Sequence, residues 1–426
     1  MFEIKVELEQ DHQQLGEVVV VADAKKNTEN AIITQQRTSL VMQTGASAQQ
    51  ITKTQDKDAP EVIRRVPGIS MIEEKFVMVR GFSQRYNNVW IYNSAVPSSE
   101  ADARAFSFDI IPSSQLDNML VVKSPALEYP ADFSGGFILV NTKDVPSSNL
   151  FTISVGTSLN DQTHFKKFLY NKGSGTDFLG FDNGFCSLKG GINVVLSPMN
   201  NGYDLLNNGL NNDWTVKDRR PLVDLSLNMN FSRCWVDSSG RTLAMLGTVN
   251  YSNSYKTYLD MDNNLFGAYD TTHDCSNYLR KSIDDQYNHN VRIGTMLNFT
   301  YVPASGNSRY EFKNIFNQLG KDRYTYRKGT DAQSDYEESA EYYYQSRTTY
   351  NGQFTGKHTL GDADKLDWST GYSYANRNMP DRRRYTTVLN EETNQLEVEN
   401  LNEINREFSR SVSYTHLRAH ETSLHL

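Results

Sequence analysis

At 426 residues the chain is too long for one ordinary domain, so two or more are expected. Its net charge of −8 comes from 43 basic and 51 acidic residues spread along the chain. That leaves no basic footprint, and nucleic acid is not expected as a partner. The three cysteines, Cys186, Cys234 and Cys275, lie far apart without a C-x-x-C spacing, so they read as small side chains rather than zinc or dithiol groups. No apolar run is long enough for a transmembrane helix, and the mean hydropathy is −0.60. Neither fact excludes strands that cross a membrane, because only every second residue of such a strand meets lipid.

The first residues alternate, with Phe2, Ile4, Val6 and Leu8 on one face and Glu3, Lys5, Glu7 and Glu9 on the other. This is the period of a half-buried strand, and no partner precedes it. The chain is therefore expected to begin inside a domain, and Met1–Val6 lacks the basic and apolar regions of a secretory signal. Leu15 to Ala22 is a β-branched run, and Asp23 to Gln55 is polar and reads as a linker.

From Asp56 to Asp144 the pattern is mixed α/β. Asp58-Ala59-Pro60-Glu61 reads as a helix start, with the cap at Asp58 or Ala59 and Pro60 in the first turn. The helix should end near Val66-Pro67-Gly68. Short strands are expected at Phe76–Val79 and Val89–Tyr92, a helix-like stretch near Ser113–Met119, and strands at Leu120–Lys123 and Phe137–Asn141.

Beyond Pro146 strict alternation takes over. Val223, Leu225, Leu227, Met229 and Phe231 alternate with Asp224, Ser226, Asn228, Asn230 and Ser232, and similar runs follow to about Tyr374. Such a pattern fits a soluble β-sandwich or a membrane barrel. Two features favour the barrel. Connections at Asp237–Gly240, Pro303–Ser308 and Gly361–Lys365 are short, whereas Thr257–Asp285, Lys321–Ser339 and Arg377–Arg406 read as long polar loops. Tyrosines, among them Tyr251, Tyr255, Tyr287 and Tyr342, gather near strand ends, where an apolar ring and a wet hydroxyl suit a membrane boundary.

Residues 56 to 144 resemble the plug of TonB-dependent outer-membrane receptors. The resemblance rests on Val66-Pro67-Gly68-Ile69, on Val79-Arg80-Gly81-Phe82 followed by Tyr86-Asn87-Asn88-Val89, and on Ile111-Pro112-Ser113-Ser114-Gln115-Leu116-Asp117. It continues through Val121-Val122-Lys123-Ser124-Pro125 and ends on Gly135-Gly136-Phe137-Ile138-Leu139-Val140-Asn141-Thr142-Lys143. The implied fold is β-rich: a small mixed α/β plug domain, then part of a large antiparallel transmembrane β-barrel. About seven or eight strands can be counted, against roughly 22 in plugged transporters.

The domain organisation implied is the end of a carboxypeptidase-regulatory-like sandwich at 1–14, a TonB box and linker at 15–55, the plug at 56–146 and the first part of the barrel at 147–411. Residues 412–426 fit neither strand nor loop of the family and resemble translated adapter sequence. That tail is expected to be non-native, so its histidines are not read as ligands.

The resemblance also implies roles. Glu17, Val18, Val19, Val20, Val21 and Ala22 resemble the TonB box, an extended segment that would add as a strand to TonB; otherwise Val18–Val21 completes the preceding sandwich. Arg80 stands where the family has an arginine locking plug to barrel, with a solvated surface arginine as the alternative. Phe82, Arg85, Tyr86, Arg104 and Phe106 fall in the apical segments where ligand would bind, although loop packing also explains them. Catalytic motifs are absent from the sequence, and no metal or cofactor is expected. Asp260–Asn264 lacks the correctly placed glycine and glutamate of a calcium loop.

The implied function is a non-enzymatic outer-membrane receptor importing a scarce nutrient (siderophore, cobalamin, glycan or peptide) with energy from TonB and the inner-membrane ExbB–ExbD pair. Outer-membrane lipid, an extracellular ligand and a surface lipoprotein are the remaining implied partners. The alternatives are a receptor that senses its ligand without importing it, and a soluble β-rich adhesin.

Overall fold

The computed structural model describes residues 27–56, 58–73, 75–92, 94–98, 105–127, 129–130, 132–143, 149–187, 211–360, 364–398 and 404–415. The strand expected at Phe2–Leu8, the Glu17–Ala22 segment and Arg104 lie outside them.

The N-terminal domain begins earlier than the sequence pattern implied. Within the stretch read as a linker, α1 (Glu29–Thr38) is capped by Thr28, whose side chain accepts from the Ala31 amide. It is followed by β1 (Gln43–Ser47) and α2 (Ala48–Thr54). Then come α3 (Ala59–Ile63), β2 (Ile69–Ile72), β3 (Phe76–Val79), β4 (Asn88–Ile91), β5 (Ser94–Ala95), β6 (Leu116–Val122) and β7 (Phe137–Thr142). The helix α3 starts as expected, with Asp58 accepting from the Glu61 amide and Pro60 inside the first turn.

Five strands form one sheet in the order β1-β6-β7-β4-β5, parallel only between β4 and β7. The hairpin β2–β3 stands apart. Ile63, Val79, Ile110, Ile111, Val121 and Ile138 are completely buried at the centre. The helix expected at Ser113–Met119 is only a 3-10 turn, Ser113–Gln115, before β6 begins. The strand expected from Leu120 is present but begins earlier, at Leu116: between β1 and β7, β6 is buried on both faces, so its first residues lack the alternation that marks a strand.

The second part of the chain holds β8 (Leu150–Ser158), β9 (Phe168–Asn171), β10 (Val216–Arg219), β11 (Asp224–Val236), β12 (Thr242–Asp262), β13 (Leu265–Asp270) and β14 (Cys275–Val302). It continues with β15 (Ser308–Asp331), β16 (Tyr336–Leu360), β17 (Asp364–Asn390), β18 (Gln395–Glu397) and β19 (Asn405–Thr415). Ten of these make an antiparallel wall in the order β8-β11-β12-β14-β15-β16-β17-β18, with β13 on β14 and β19 also on β17. The wall is an incomplete barrel. β9 and β10 pair only with each other. The segment read as a foreign tail enters the last strand, where Val412 pairs with Asn376 and Ser413 with Ala375.

Strand register separates the two faces of the wall. Asn250, Gly294, Asn317 and Thr349 share one rung, and Tyr251, Ile293, Gln318 and Thr348 the next. The Ser114 hydroxyl of the N-terminal domain donates to Asn250 at 2.6 Å, so the first rung faces that domain. Alternation then puts Asn228, Thr248, Asn298, Glu311, Asn351 and Gln353 on the inner face. Leu227, Met229, Val249, Leu297, Phe312 and Phe354 point outward. Phe151 and Val155 on the same outer face are 64% and 66% exposed, which fits a surface bathed in lipid rather than water.

The short turns are found at 237–241 and 303–307, where Gly240 and Gly306 take positive φ. The expected long loops are largely strand instead. β12, β14, β15, β16 and β17 continue through them, and Asp331–Asp335 and Asn390–Asn394 close with compact turns. Above the apolar band neither face needs to be hydrophobic, so these strand extensions read as loop.

Candidate functional site

The N-terminal domain sits on the polar face of the wall through a few charged and hydrogen-bonded contacts. Asp109, in a 3-10 turn Phe108–Ile110, is 6% exposed, and its Oδ2 accepts from both Arg347 of β16 and Lys321 of β15, the latter at 2.9 Å. Burial by itself would raise this carboxyl. The charges and hydrogen bonds of Arg347 and Lys321 outweigh it and hold Asp109 well below the usual carboxylate range. Asp58, the cap of α3, reaches Arg292 of β14 at 3.2 Å, and Asn298 donates to the Lys143 carbonyl at 3.2 Å. The apolar part of the seat is small: Ile315 and Leu319 of β15 join the domain's core.

On the same inner face, toward the end of the wall away from the short turns, lies a 340 Å³ cavity lined by Thr325, Arg327, Ser339, Glu341, Arg382 and Arg384, among others. Its side chains are cross-linked. Glu341 accepts from Arg323 at 2.7 Å and from Arg382 at 2.8 Å, and Arg327 makes a two-pronged pair with Asp284 at 2.6 and 2.8 Å. The Arg323 guanidinium also lies 4.7 Å from the ring centre of Tyr343. Arg384 is exposed and has no ion-pair partner among the described residues. The arrangement offers fixed guanidinium donors and hydroxyls to a polar ligand, a chemistry of recognition.

The expected site residues divide. Arg80 and Gly81 both take left-handed backbone, with φ of 52° and 81°. The Arg80 guanidinium donates to the carbonyl of Lys123, within its own domain, whereas Asp109 and Asp58 make ion pairs across to the wall. Phe82, Arg85 and Tyr86 come together around the 3-10 turn Gln84–Tyr86. Phe82 and Tyr86 are edge to face at 6.4 Å, Arg85 lies 5.1 Å from the Tyr86 ring centre, and both rings are about half exposed. Phe106 is separated from this group: it is 7% exposed and packs on Phe108 at 5.0 Å. The close approach expected at Gly135-Gly136 is present, since a Cβ on Gly136 would lie 2.9 Å from the Val79 side chain.

The inner-face arginines and Asp109 were missed as site residues. The arginines lie in stretches that read as loop, and Asp109 follows Phe106, the last of the apical residues named from the sequence. No motif marks either group, because each is assembled by pairing across strands distant in sequence.

Residues 35–137 match the family model described as TonB-dependent Receptor Plug Domain. No curated protein matches the chain by sequence. Among solved structures it is similar to the unliganded ferric citrate transporter FecA, with 13% identity and a TM-score of 0.37, covering 90% of this chain and 53% of that one. It is also similar to the RagAB peptide importer in its open-open state, with 11% identity, TM-score 0.37, and 87% and 51% covered. A third is the ferric-catecholate import receptor Fiu of E. coli K12, with 10% identity, TM-score 0.37, and 88% and 66% covered. The chain thus spans about half the length of the first two. Residues 35–137 thus belong to the TonB-dependent receptor plug family, and they form a domain seated on the polar face of an antiparallel wall whose other face is apolar.

Proposed function

We propose that this receptor imports a scarce nutrient ligand across the outer membrane with energy delivered by TonB. The observation that carries this reading is the seat of the plug: a small domain held in the barrel lumen by a few ion pairs, with an open, arginine-lined cavity on the same inner face. A contact built from charge rather than from a broad apolar interface can be broken and remade by a modest pull.

In this reading a polar ligand enters from outside and is first held by Arg327, Arg382 and Arg384, with Phe82, Arg85 and Tyr86 of the plug as further contacts. Glu17–Ala22 pairs as an added strand with TonB, which draws on ExbB–ExbD, and main-chain hydrogen bonds carry the force. Traction releases Asp109 from Arg347 and Lys321, the plug shifts, and the ligand passes. No covalent step is required.

The test is removal of Glu17–Ala22 from the full-length protein. Uptake should be abolished while ligand still binds at the cell surface. Normal uptake without the segment would sink the mechanism. Ligand-dependent signalling without any uptake by the intact protein would favour a sensor.

A further inference from the structure

Between β8 and β11 the chain makes an excursion that plays no part in the import reading. It contains the hairpin β9–β10, which rides on the wall face opposite the plug. Phe168 is buried against Tyr255 and Tyr287, with ring centres 5.4 and 5.5 Å away. By register and alternation both tyrosines share the outer face with Tyr251, not the inner face with Asn250. The Tyr251 hydroxyl itself donates to the Phe178 carbonyl at 3.0 Å, and the Tyr342 hydroxyl to the Trp214 carbonyl at 2.7 Å. Arg219 lies over Phe168, Tyr170 and Tyr255 at 5.4, 4.6 and 4.8 Å from their ring centres. The hairpin is therefore pinned to the outside of the wall.

Its height follows from the strands beside it. β11 has 13 residues from Asp224 to the short turn at Asp237. At about 3.3 Å per residue and a tilt near 40°, it climbs about 30 Å, slightly more than the apolar band of roughly 25 Å. The excursion leaves the wall at the top of β8 and rejoins it at Asp224, so it starts at the level of outward-facing lipid headgroups. Below it on the same face lie Leu225, Leu227 and Met229; beside it Phe165 is 55% and Leu222 70% exposed.

The charge at this level is unlike that of the chain. Residues 166–172 and 213–220 carry six cations and two carboxylates in a protein whose net charge is −8. Lys166, Lys167, Lys172, Lys217 and Arg220 are all exposed. One of the two carboxylates, Asp213, is occupied by the Thr215 amide and hydroxyl.

We propose that the β9–β10 hairpin is a docking surface for the phosphate-bearing headgroups of outer-leaflet lipids. The apolar band below it receives the acyl chains, and the lysines and Arg220 meet the phosphates at the one height where lipid presents them. Stacking of Phe168 and Arg219 on the wall tyrosines keeps the cations in place without a mobile arm. This inference needs only the outer face to be lipid-facing and is independent of how import is driven.

The test uses the full-length protein in detergent with lipid A as the probe, and counts bound lipid by native mass spectrometry. A variant carrying Lys166→Gln, Lys167→Gln, Lys217→Gln and Arg220→Gln should hold lipid A more weakly, by about five-fold for each cation lost. Lys365→Gln, exposed near the short-turn end, should bind as the parent does. Heat-dependent gel mobility checks that the fourfold variant is folded. Unchanged lipid A binding by a folded fourfold variant would overturn the proposal. So would equal binding of dephosphorylated lipid A by the parent, or complete displacement of lipid A by inorganic phosphate, which would assign the surface to a free anion.

Discussion

Asp109 of the plug and Arg347 of the barrel wall form a buried ion pair in which the guanidinium side chain is 1% and the carboxylate side chain 8% exposed. Lys321 donates to the same carboxylate oxygen. Removing one partner of such a pair leaves a charge without compensation, at a cost of about 3–5 kcal/mol. Asp109→Asn should therefore unseat the plug from this part of the wall, read as faster labelling of a thiol introduced by Ile110→Cys. Asp109→Asn combined with Arg347→Met should cost less than the sum of the two single changes. Strict additivity would show that the two residues do not act as a pair.

The same carboxylate sets an acid limit. Its folded value lies below the ordinary 3.8, so its contribution is complete above the unfolded value and is lost as pH falls from there through the folded one. Plug protection should thus be flat from neutral pH down to about pH 5 and fall in stronger acid. In Asp109→Asn the acid limb assigned to this group should vanish. A limb of the same size in the variant would place its origin in other carboxylates.

Asp58 carries two duties, capping α3 and pairing with Arg292. Asparagine can cap but cannot pair as a charge, so two substitutions separate them. Asp58→Asn should loosen only the contact with the wall. Asp58→Ala should lose about 1 kcal/mol more from the missing cap. Equal melting temperatures for the two variants would show that the cap contributes nothing.

The cap of α3 was legible in the sequence because every signal for it is local, as were the alternation of β11 and the turns at Gly240 and Gly306. The seat of the plug was not. Asp109 and Arg347 lie 238 positions apart, and nothing near either predicts the other. The strand extensions hid for a different reason. Around Arg323–Arg327 the inner face is charged and the outer face aromatic, and around Arg382–Arg384 both faces carry arginine, with Arg383 on the outer side bonded to Asn171 of β9, so no apolar stripe marks a strand. The first half of β6, Leu116–Met119, was missed in the opposite sense, since burial on both faces erased the polar half of its pattern, while Leu120–Val122 was read as strand. The family segments carried the plug because its glycines answer to backbone geometry: Gly81 needs positive φ and Gly136 leaves no room beside Val79.

Neighbouring residues of β11 should respond oppositely to the same change. Met229 faces outward at mid-strand, and Asn228 faces the lumen. Met229→Arg should cost about 2–4 kcal/mol of folding stability in a bilayer, as expected for a cation near the midplane. Asn228→Arg should cost much less, because the lumen face is wet. Equal costs, measured by denaturant titration in the same vesicles, would refute the assignment of faces.

The cavity and the plug seat should also part company in transport kinetics. Arg384 lines the cavity and has no ion pair among the described residues, so its donors are open to a ligand. A hydrogen bond to a charged group contributes about 1.5–3 kcal/mol, so Arg384→Ala should raise the half-saturating ligand concentration roughly ten- to a hundred-fold. Maximal uptake should be unchanged, because plug release does not involve Arg384. Asp109→Asn should show the reverse, altering maximal uptake more than half-saturation. If Arg384→Ala lowered maximal uptake with half-saturation fixed, the residue would belong to the translocation step, and first recognition of the ligand would lie with the exposed Phe82–Tyr86 cluster on the plug.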